Sequence, residues 1–356
     1  MLTPAAIRDI AIGFQRSRVL LTAVELKIWS VLGDARLSSA VLAARLGTHP
    51  RATDRLLNAL VSMGLLEQSD RLFANTAASR RYLDEASPDV IAGLGHTANM
   101  WQAWNGLTDT VRHGVPAMRA AINDRGDGWL DPFIAAMHDR AAQQAPVVAS
   151  MLTLDGVRRV LDVGGGSGAF AMAFAARQPG LEAVVFDLPN VVPITRRYLA
   201  AAGLTSRVTT ATGDYLADDL PGGFDLVFLS AVVHSNGPEE NAALIRKCAA
   251  ALTPGGRVAV MDFVMDEDRV APAVGALFAL NMLVATDRGD TFTEGEIRGW
   301  LTAAGLVEGP RLETPFGSGI VIGIGRLGSR SGGWGRDGRP DPSRSREVVG
   351  CESPNR

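Results

Sequence analysis

At 356 residues, 47% hydrophobic and 21% charged, the chain has apolar surface enough for two folded domains. A net charge of −3 gives no global pull toward nucleic acid or an anionic membrane, and the only two cysteines, Cys248 and Cys351, exclude a disulfide framework and a cysteine-based metal site. No export signal and no apolar run of membrane-spanning length is visible, so a reducing cytoplasm is expected.

Apolar residues recur at helical spacing from Ile7 to Leu32, most regularly from Val19 to Trp29. Ser38 to Gly47 reads as a short helix with a serine start and a glycine stop, and Pro50 to Met63 as a second helix with proline in its first turn. Leu65 to Phe73 reads as two short strands around a polar turn, which completes a helix, turn, helix, wing order. Taken alone, that order is compatible with DNA binding through Arg51 and Arg55, but two arginines among Leu56, Leu57, Leu60 and Val61 are too few for the phosphate contacts that supply affinity.

Pro88 to Ala149 reads as helical throughout and carries Met100, Trp101, Trp104, Met118, Trp129, Phe133 and Met137. Such side chains can line a pocket for a flat apolar ligand, or they can be core, and at helical spacing the core reading carries more weight for the set. His96, His113 and His138 have no acid or cysteine at metal-ligand spacing, so they are expected to be structural or surface residues, with no metal site.

The stretch from Arg159 to Leu188 is the most informative. A buried strand through Val160, Leu161 and Val163 runs into glycines 164, 165, 166 and 168, an alanine-rich helix follows, and a second strand from Ala183 to Phe186 ends in Asp187. Strand, tight turn, helix and a carboxylate about twenty residues on form a nucleoside-binding unit. The glycines fit Gly164-x-Gly166-x-Gly168 and also the dinucleotide form Gly164-x-Gly166-x-x-Ala169. Asp162, in the strand just before them, favours a cationic ligand, an ammonium or a sulfonium, over a pyrophosphate.

Further on, Gly213-Asp214-Tyr215 delivers a second carboxylate to the same sheet edge, although Gly-Asp is also an ordinary turn pair. The apolar strand Phe224 to Val233 runs straight into His234, which can take a proton near neutral pH at the mouth of the crevice. A strand from Arg257 to Val264 follows a helix over 238–252. An amphipathic helix over 277–283 offers Phe278, Asn281 and Met282 to a ligand; Asn281 either bonds an acceptor oxygen or caps local backbone. A helix from Glu294 to Ala304 and a hairpin from Arg311 to Gly325 end the ordered part, and the Gly, Ser, Arg and Pro-rich tail is expected to be disordered.

Leu161-Asp162-Val163-Gly164-Gly165-Gly166-Ser167-Gly168, Phe186-Asp187-Leu188-Pro189-Asn190-Val191 and Gly213-Asp214-Tyr215, in this order, resemble the S-adenosylmethionine-dependent small-molecule O-methyltransferases, over about residues 10 to 327. The resemblance implies an α/β fold: a doubly wound, Rossmann-like methyltransferase domain with a C-terminal antiparallel hairpin (151–327), behind an all-helical, winged-helix-like dimerisation domain (1–90) and a helical substrate-pocket region (91–150), with 328–356 as tail. It implies S-adenosyl-L-methionine held by Asp162, Gly164, Gly166, Gly168, Asp187, Leu188, Asp214, Tyr215 and Ser230, an acceptor against Met100, Trp104, Phe133, Met137, Phe278, Asn281 and Met282, and a homodimer without metal. His234 aligns with the family's proton-accepting histidine. Two acids that orient that base in plant members fall here on Thr291, beside Asp290, and on the strand Gly319 to Gly325, which has no acid; a lysine near the donor's adenine is Ser230. A microbial branch acting on polyketides and similar compounds is the nearer likeness. The implied reaction is methylation of an aromatic or polycyclic hydroxyl; carbon methylation, a decarboxylase or hydroxylase reaction on such a substrate, a winged-helix regulator and a nicotinamide dehydrogenase are the alternatives.

Overall fold

A computed structural model of the chain describes residues 2–117 and 127–327. The N-terminal part is built from α1 (Pro4–Ile12), α2 (Phe14–Glu25), α3 (Ile28–Leu32), β1 (Leu37–Ser38), α4 (Ser39–Leu46), α5 (Pro50–Ser62), β2 (Leu66–Ser69), β3 (Leu72–Asn75) and α6 (Ala77–Tyr82). The expected starts and stops are present: the Ser38 hydroxyl accepts from Val41 N–H, Gly47 closes α4 in the left-handed conformation, and Pro50 opens α5. The wing has three strands rather than two, because β1 pairs with β3 along its free edge. Trp29, Leu42, Leu57, Leu60 and Phe73 form this part's own core. Helix α1 buries none of its residues, so Ile7 and Ile10 lie open.

Three helices lead to the second part: α7 (Leu94–Asn105), α8 (Leu107–His113) and α9 (Asp127–Met151). The helical reading of 88–149 is met over 94–105, 107–113 and 127–149 and not over 88–93 or 114–117, and Met118 lies outside the described residues. Then follow β4 (Arg159–Val163), α10 (Ala169–Arg177), β5 (Glu182–Asp187), α11 (Val192–Ala201), β6 (Val208–Thr212), β7 (Phe224–Ser230), α12 (Pro238–Ala250), β8 (Leu252–Asp262), β9 (Val264–Met265), α13 (Ala273–Ala285), β10 (Phe292–Thr293), α14 (Glu294–Ala303), β11 (Val307–Glu313) and β12 (Gly319–Ile324). The seven-stranded sheet has the order β11-β12-β8-β7-β4-β5-β6; β12 is antiparallel to both neighbours and the rest is parallel. Both faces are covered, which explains why β4 and β7 read as nearly unbroken apolar runs. The C-terminal hairpin stands where expected and starts earlier, at Val307.

The order of strands places its reversal at β4, with β5 on one side and β7 on the other, where a doubly wound sheet opens a crevice at its carboxyl edge. The turn after β4 fills that position. Gly164, Gly166 and Gly168 have φ of 64°, 56° and 77°, a region that L side chains enter only at a cost. Gly165, which neither glycine alignment used, is constrained by space: a Cβ there would lie 2.7 Å from the Asp162 carboxyl carbon and 2.9 Å from Val185. Gly165→Ala is therefore expected to lower the unfolding free energy by about 1–3 kcal/mol. Gly222→Ala, where a Cβ would meet nothing within 4 Å, is expected to shift it by less than about 0.5 kcal/mol. Urea denaturation compares them, and equal effects would contradict the crowding argument.

Candidate active site

The carboxyl ends of β4, β5, β6 and β7 lie level. Val163 pairs with both Phe186 and Leu229, and Asp187 pairs with Thr212, so Gly164, Asp187, Gly213 and Ser230 share one edge. The Asp187 carboxylate clamps the turn: Oδ2 accepts from Gly166 N–H at 2.7 Å and Oδ1 from Leu188 N–H at 2.8 Å. Burial pushes its pKa up to about 6 against these bonds, so a further donor, such as a ribose hydroxyl, would find a carboxylate short of compensation. The Tyr215 ring lies over Gly164, 3.6 Å from where a Cβ would stand, and its hydroxyl donates to Asn236 Oδ1 at 3.3 Å. Burial raises the Tyr215 pKa, which keeps it a neutral platform.

Asp162 sits differently from the sequence expectation, and Asp214 adopts one of the two readings open to it. Asp162 is 1% exposed, under Gly165, and accepts from Ala171 N–H in the first turn of α10 at 3.3 Å. Burial first, and the neighbouring Asp187 charge with it, raises its pKa to about 7. It supports the turn from below instead of facing a cation in the cleft. Asp214 accepts from Leu216 N–H at 2.8 Å, the turn-acid arrangement.

His234 lies in a short 3-10 turn, Val233–Ser235, four residues past the end of β7. Its Nδ1 is 2.9 and 3.0 Å from the two oxygens of Asp262, the last residue of β8. A carboxylate on Nδ1 assigns the proton to that nitrogen and leaves Nε2 with its lone pair. The orienting acid thus comes from neither position the resemblance indicated. Thr291 is buried and offers its carbonyl to Arg269, while Asp290 ion-pairs with Arg269 at 3.6 Å and meets His234 only through a backbone bond, N–H to the His234 carbonyl at 3.0 Å. The His234 side chain is 12% exposed, with the Phe278 edge against its ring at 4.8 Å.

Helix α13 meets this edge through Phe278 on His234 and α9 through Phe133 beside Leu188, and α7 packs on both helices. The expected choice for Asn281 is replaced by a third partner: its Oδ1 accepts from the Trp104 indole at 2.8 Å, tying α13 to α7. Met100 and Met282 are 8% exposed, and Met100 packs with Ala103 and Val284, which assigns both methionines to core. Phe133 stacks on Trp129 at 4.8 Å and packs on the cluster that includes Leu188, joining α9 to the carboxyl edge of the sheet; Met137 lies half-buried one turn on. His138, read as structural or surface, has Nδ1 2.8 Å from Ser167 Oγ in the glycine turn and stacks on Tyr198. Among the described residues no three His, Cys, Asp or Glu side chains gather as a metal site.

The model of the O-methyltransferase domain matches residues 104–307, and that of the O-methyltransferase dimerisation domain matches residues 9–85. The chain belongs to the S-adenosylmethionine-dependent O-methyltransferase family. It is 33% identical over 329 residues to the 3-hydroxy-5-methyl-1-naphthoate 3-O-methyltransferase of Streptomyces sahachiroi, covering 90% of this chain and 95% of that one. It is 32% identical to the tetracenomycin polyketide synthesis 8-O-methyltransferase TcmO of Streptomyces glaucescens, over 86% and 92%. Among solved structures, PigF with SAH superposes with a TM-score of 0.83 at 29% identity, covering 91% of this chain and all of that one. Human N-acetylserotonin methyltransferase in complex with SAM gives 0.79 at 27%, covering 92% and 99%. The dinucleotide alternative is thereby set aside.

In this O-methyltransferase the sequence reading missed Asp262, Asn236 and Asn241. Asp262 carried a legible signal, an acid closing the strand beside the one that leads to His234. The asparagines carried none. Asn241 is fully buried, donates to the Val233 carbonyl at 2.9 Å and accepts from Asn236 at 3.1 Å, pinning the turn that carries His234. Removing it takes away the shorter bond of each of two buried groups, leaving the Val233 carbonyl with Asn236 N–H at 3.3 Å and the Asn236 amide with the Val232 carbonyl at 3.5 Å. Asn241→Ala is expected to cost about 1–3 kcal/mol of stability by chemical denaturation; an unchanged midpoint would show that the turn is held by other means.

Proposed function

We propose that the enzyme methylates a hydroxyl of an aromatic or polycyclic secondary metabolite, with His234 as the general base and Asp262 as its positioning residue. The observation that carries this reading is the His234–Asp262 pair at the same sheet edge as the glycine turn of an O-methyltransferase. The residues fit the donor: glycines 164, 165, 166 and 168 leave a turn whose one side chain is that of Ser167, Asp187 stands beside them for a ribose, and Tyr215 supplies a flat neutral face for adenine. Leu188 and Ser230 border the same place, and Asp214 contributes through its turn. When bound, S-adenosylmethionine supplies a methyl group already activated by its sulfonium. The chain's own work is to align the acceptor oxygen with that methyl, exclude water and move one proton.

His234 Nε2 takes the hydroxyl proton, and Asp262 holds the ring so that Nε2 faces the cleft and balances the charge the ring then gains. Phe133, Met137, Phe278 and the Trp104–Asn281 pair form the wall against which a flat acceptor lies. The relatives that act on a naphthoate and on a tetracenomycin polyketide support a fused aromatic acceptor. The dimerisation domain and the open apolar residues of α1, Ile7 at 55% and Ile10 at 72% exposed, support a homodimer formed through the N-terminal part, which we place in the cytoplasm.

Methyl transfer to hydroxynaphthoic acids and hydroxyanthraquinones, followed by mass spectrometry, tests the reaction, and a product that keeps its hydroxyl would assign the methyl to carbon. His234→Ala is expected to lower kcat by about 10²–10⁴-fold. Asp262→Asn should lower kcat by a smaller factor, and both variants should leave the donor KM within about twofold. Parallel loss of donor affinity and turnover would remove both assigned roles.

A further inference from the structure

Arg140, on α9, has no part in the reaction just described. Its guanidinium lies over the Phe263 ring at 5.1 Å; Phe263 packs on Phe278 at 4.8 Å, and Phe278 on His234 at 4.8 Å. The residue is exposed, and the protein around it lowers its pKa by desolvation, opposed by the nearby Asp262 charge. Among the described residues it has no hydrogen bond and no ion pair. Asp262 does not serve as its partner, since Oδ1 is taken by His234 Nδ1 and Phe263 N–H, and Oδ2 by His234 Nδ1 and His234 N–H.

Three other arginines of this half differ. Arg298 and Arg311 both bond Glu294, and Arg269 bonds the Thr291 carbonyl and Glu296. A partly desolvated guanidinium over an aromatic face, with no acceptor among the described residues, keeps its five N–H donors for another partner. It is the arrangement a planar oxyanion completes, because the guanidinium fork matches a carboxylate in a bidentate pair.

We infer that Arg140 is a specificity residue that binds a carboxylate on the acceptor, so that the enzyme prefers hydroxyarene carboxylates to neutral hydroxyarenes. This rests on the acceptor site proposed above. A carboxylate there would be anchored on the Arg140 and Phe263 side of the cleft while the hydroxyl reaches His234.

Calorimetry of the full chain saturated with S-adenosylhomocysteine, titrated with 3-hydroxy-1-naphthoic acid and with its methyl ester, tests it. The acid is expected to bind at least about tenfold more tightly than the ester. In Arg140→Leu that ratio should fall to within about twofold, and Arg140→Lys should restore part of it. Uptake of S-adenosylhomocysteine in the same experiment reports that each variant is folded. Equal affinity for acid and ester, no measurable binding of the acid, or a preference that survives Arg140→Leu overturns the inference. Failure of the unaltered chain to take up S-adenosylhomocysteine would instead defeat the donor reading.

Discussion

The pairing of β4 with β7 is the constraint on which the site depends. Their parallel register sets Val163 opposite Leu229, so each strand releases its chain at the same level of the sheet. One release becomes the glycine turn. The other becomes the 3-10 turn that carries His234. The glycine turn and His234 are neighbours because two buried apolar strands are neighbours, and a slip of one residue would turn every core side chain of β7 to the wrong face. The cores on both sides of the sheet therefore set the distance across which a methyl group has to pass.

Electrostatics refines what the register provides. Asp162 and Asp187 flank the glycine turn from below and beside, both raised by burial, and each spends oxygens on backbone N–H groups of the turn or of α10. The turn is thus stiffened before any ligand arrives. On the other side of the edge, Asp262 saturates its oxygens on His234 and its backbone, and the Asn236–Asn241 amides fix the peptide that bears the imidazole. Rigid groups on both sides of a transfer lower the reorganisation that the reaction demands. Cationic Arg140 stands outside both sets of bonds, which gives the cleft a charge to spend on recognition.

The parallel strands, the glycine turn, Asp187, the terminal hairpin and the placement of His234 were legible in the sequence because each is local: an apolar run, a turn chemistry, a residue at a strand end. What the sequence did not disclose was partnership across distance. Asp262 lies 28 residues from His234 and meets it only because β7 and β8 are adjacent. Trp104 and Asn281 are separated by 177 residues, so the indole that answers Asn281 has no local sign. Asp162 misled for the opposite reason. Its place before the glycines suggested a ligand, whereas strand alternation turned its carboxylate beneath the turn, where α10 begins. Burial divides the apolar series of the middle helices in a way that its helical spacing did not announce: Met100 is interior, whereas Phe133 and Met137 are half-buried.

The most direct test of this account is a crystal structure of the protein with S-adenosylhomocysteine bound. The account predicts the ligand along Gly164 to Gly168, its ribose on Asp187 and its sulfur on the side that His234 Nε2 faces. A ligand bound elsewhere, or an imidazole released from Asp262 and turned away from the sulfur, would contradict it.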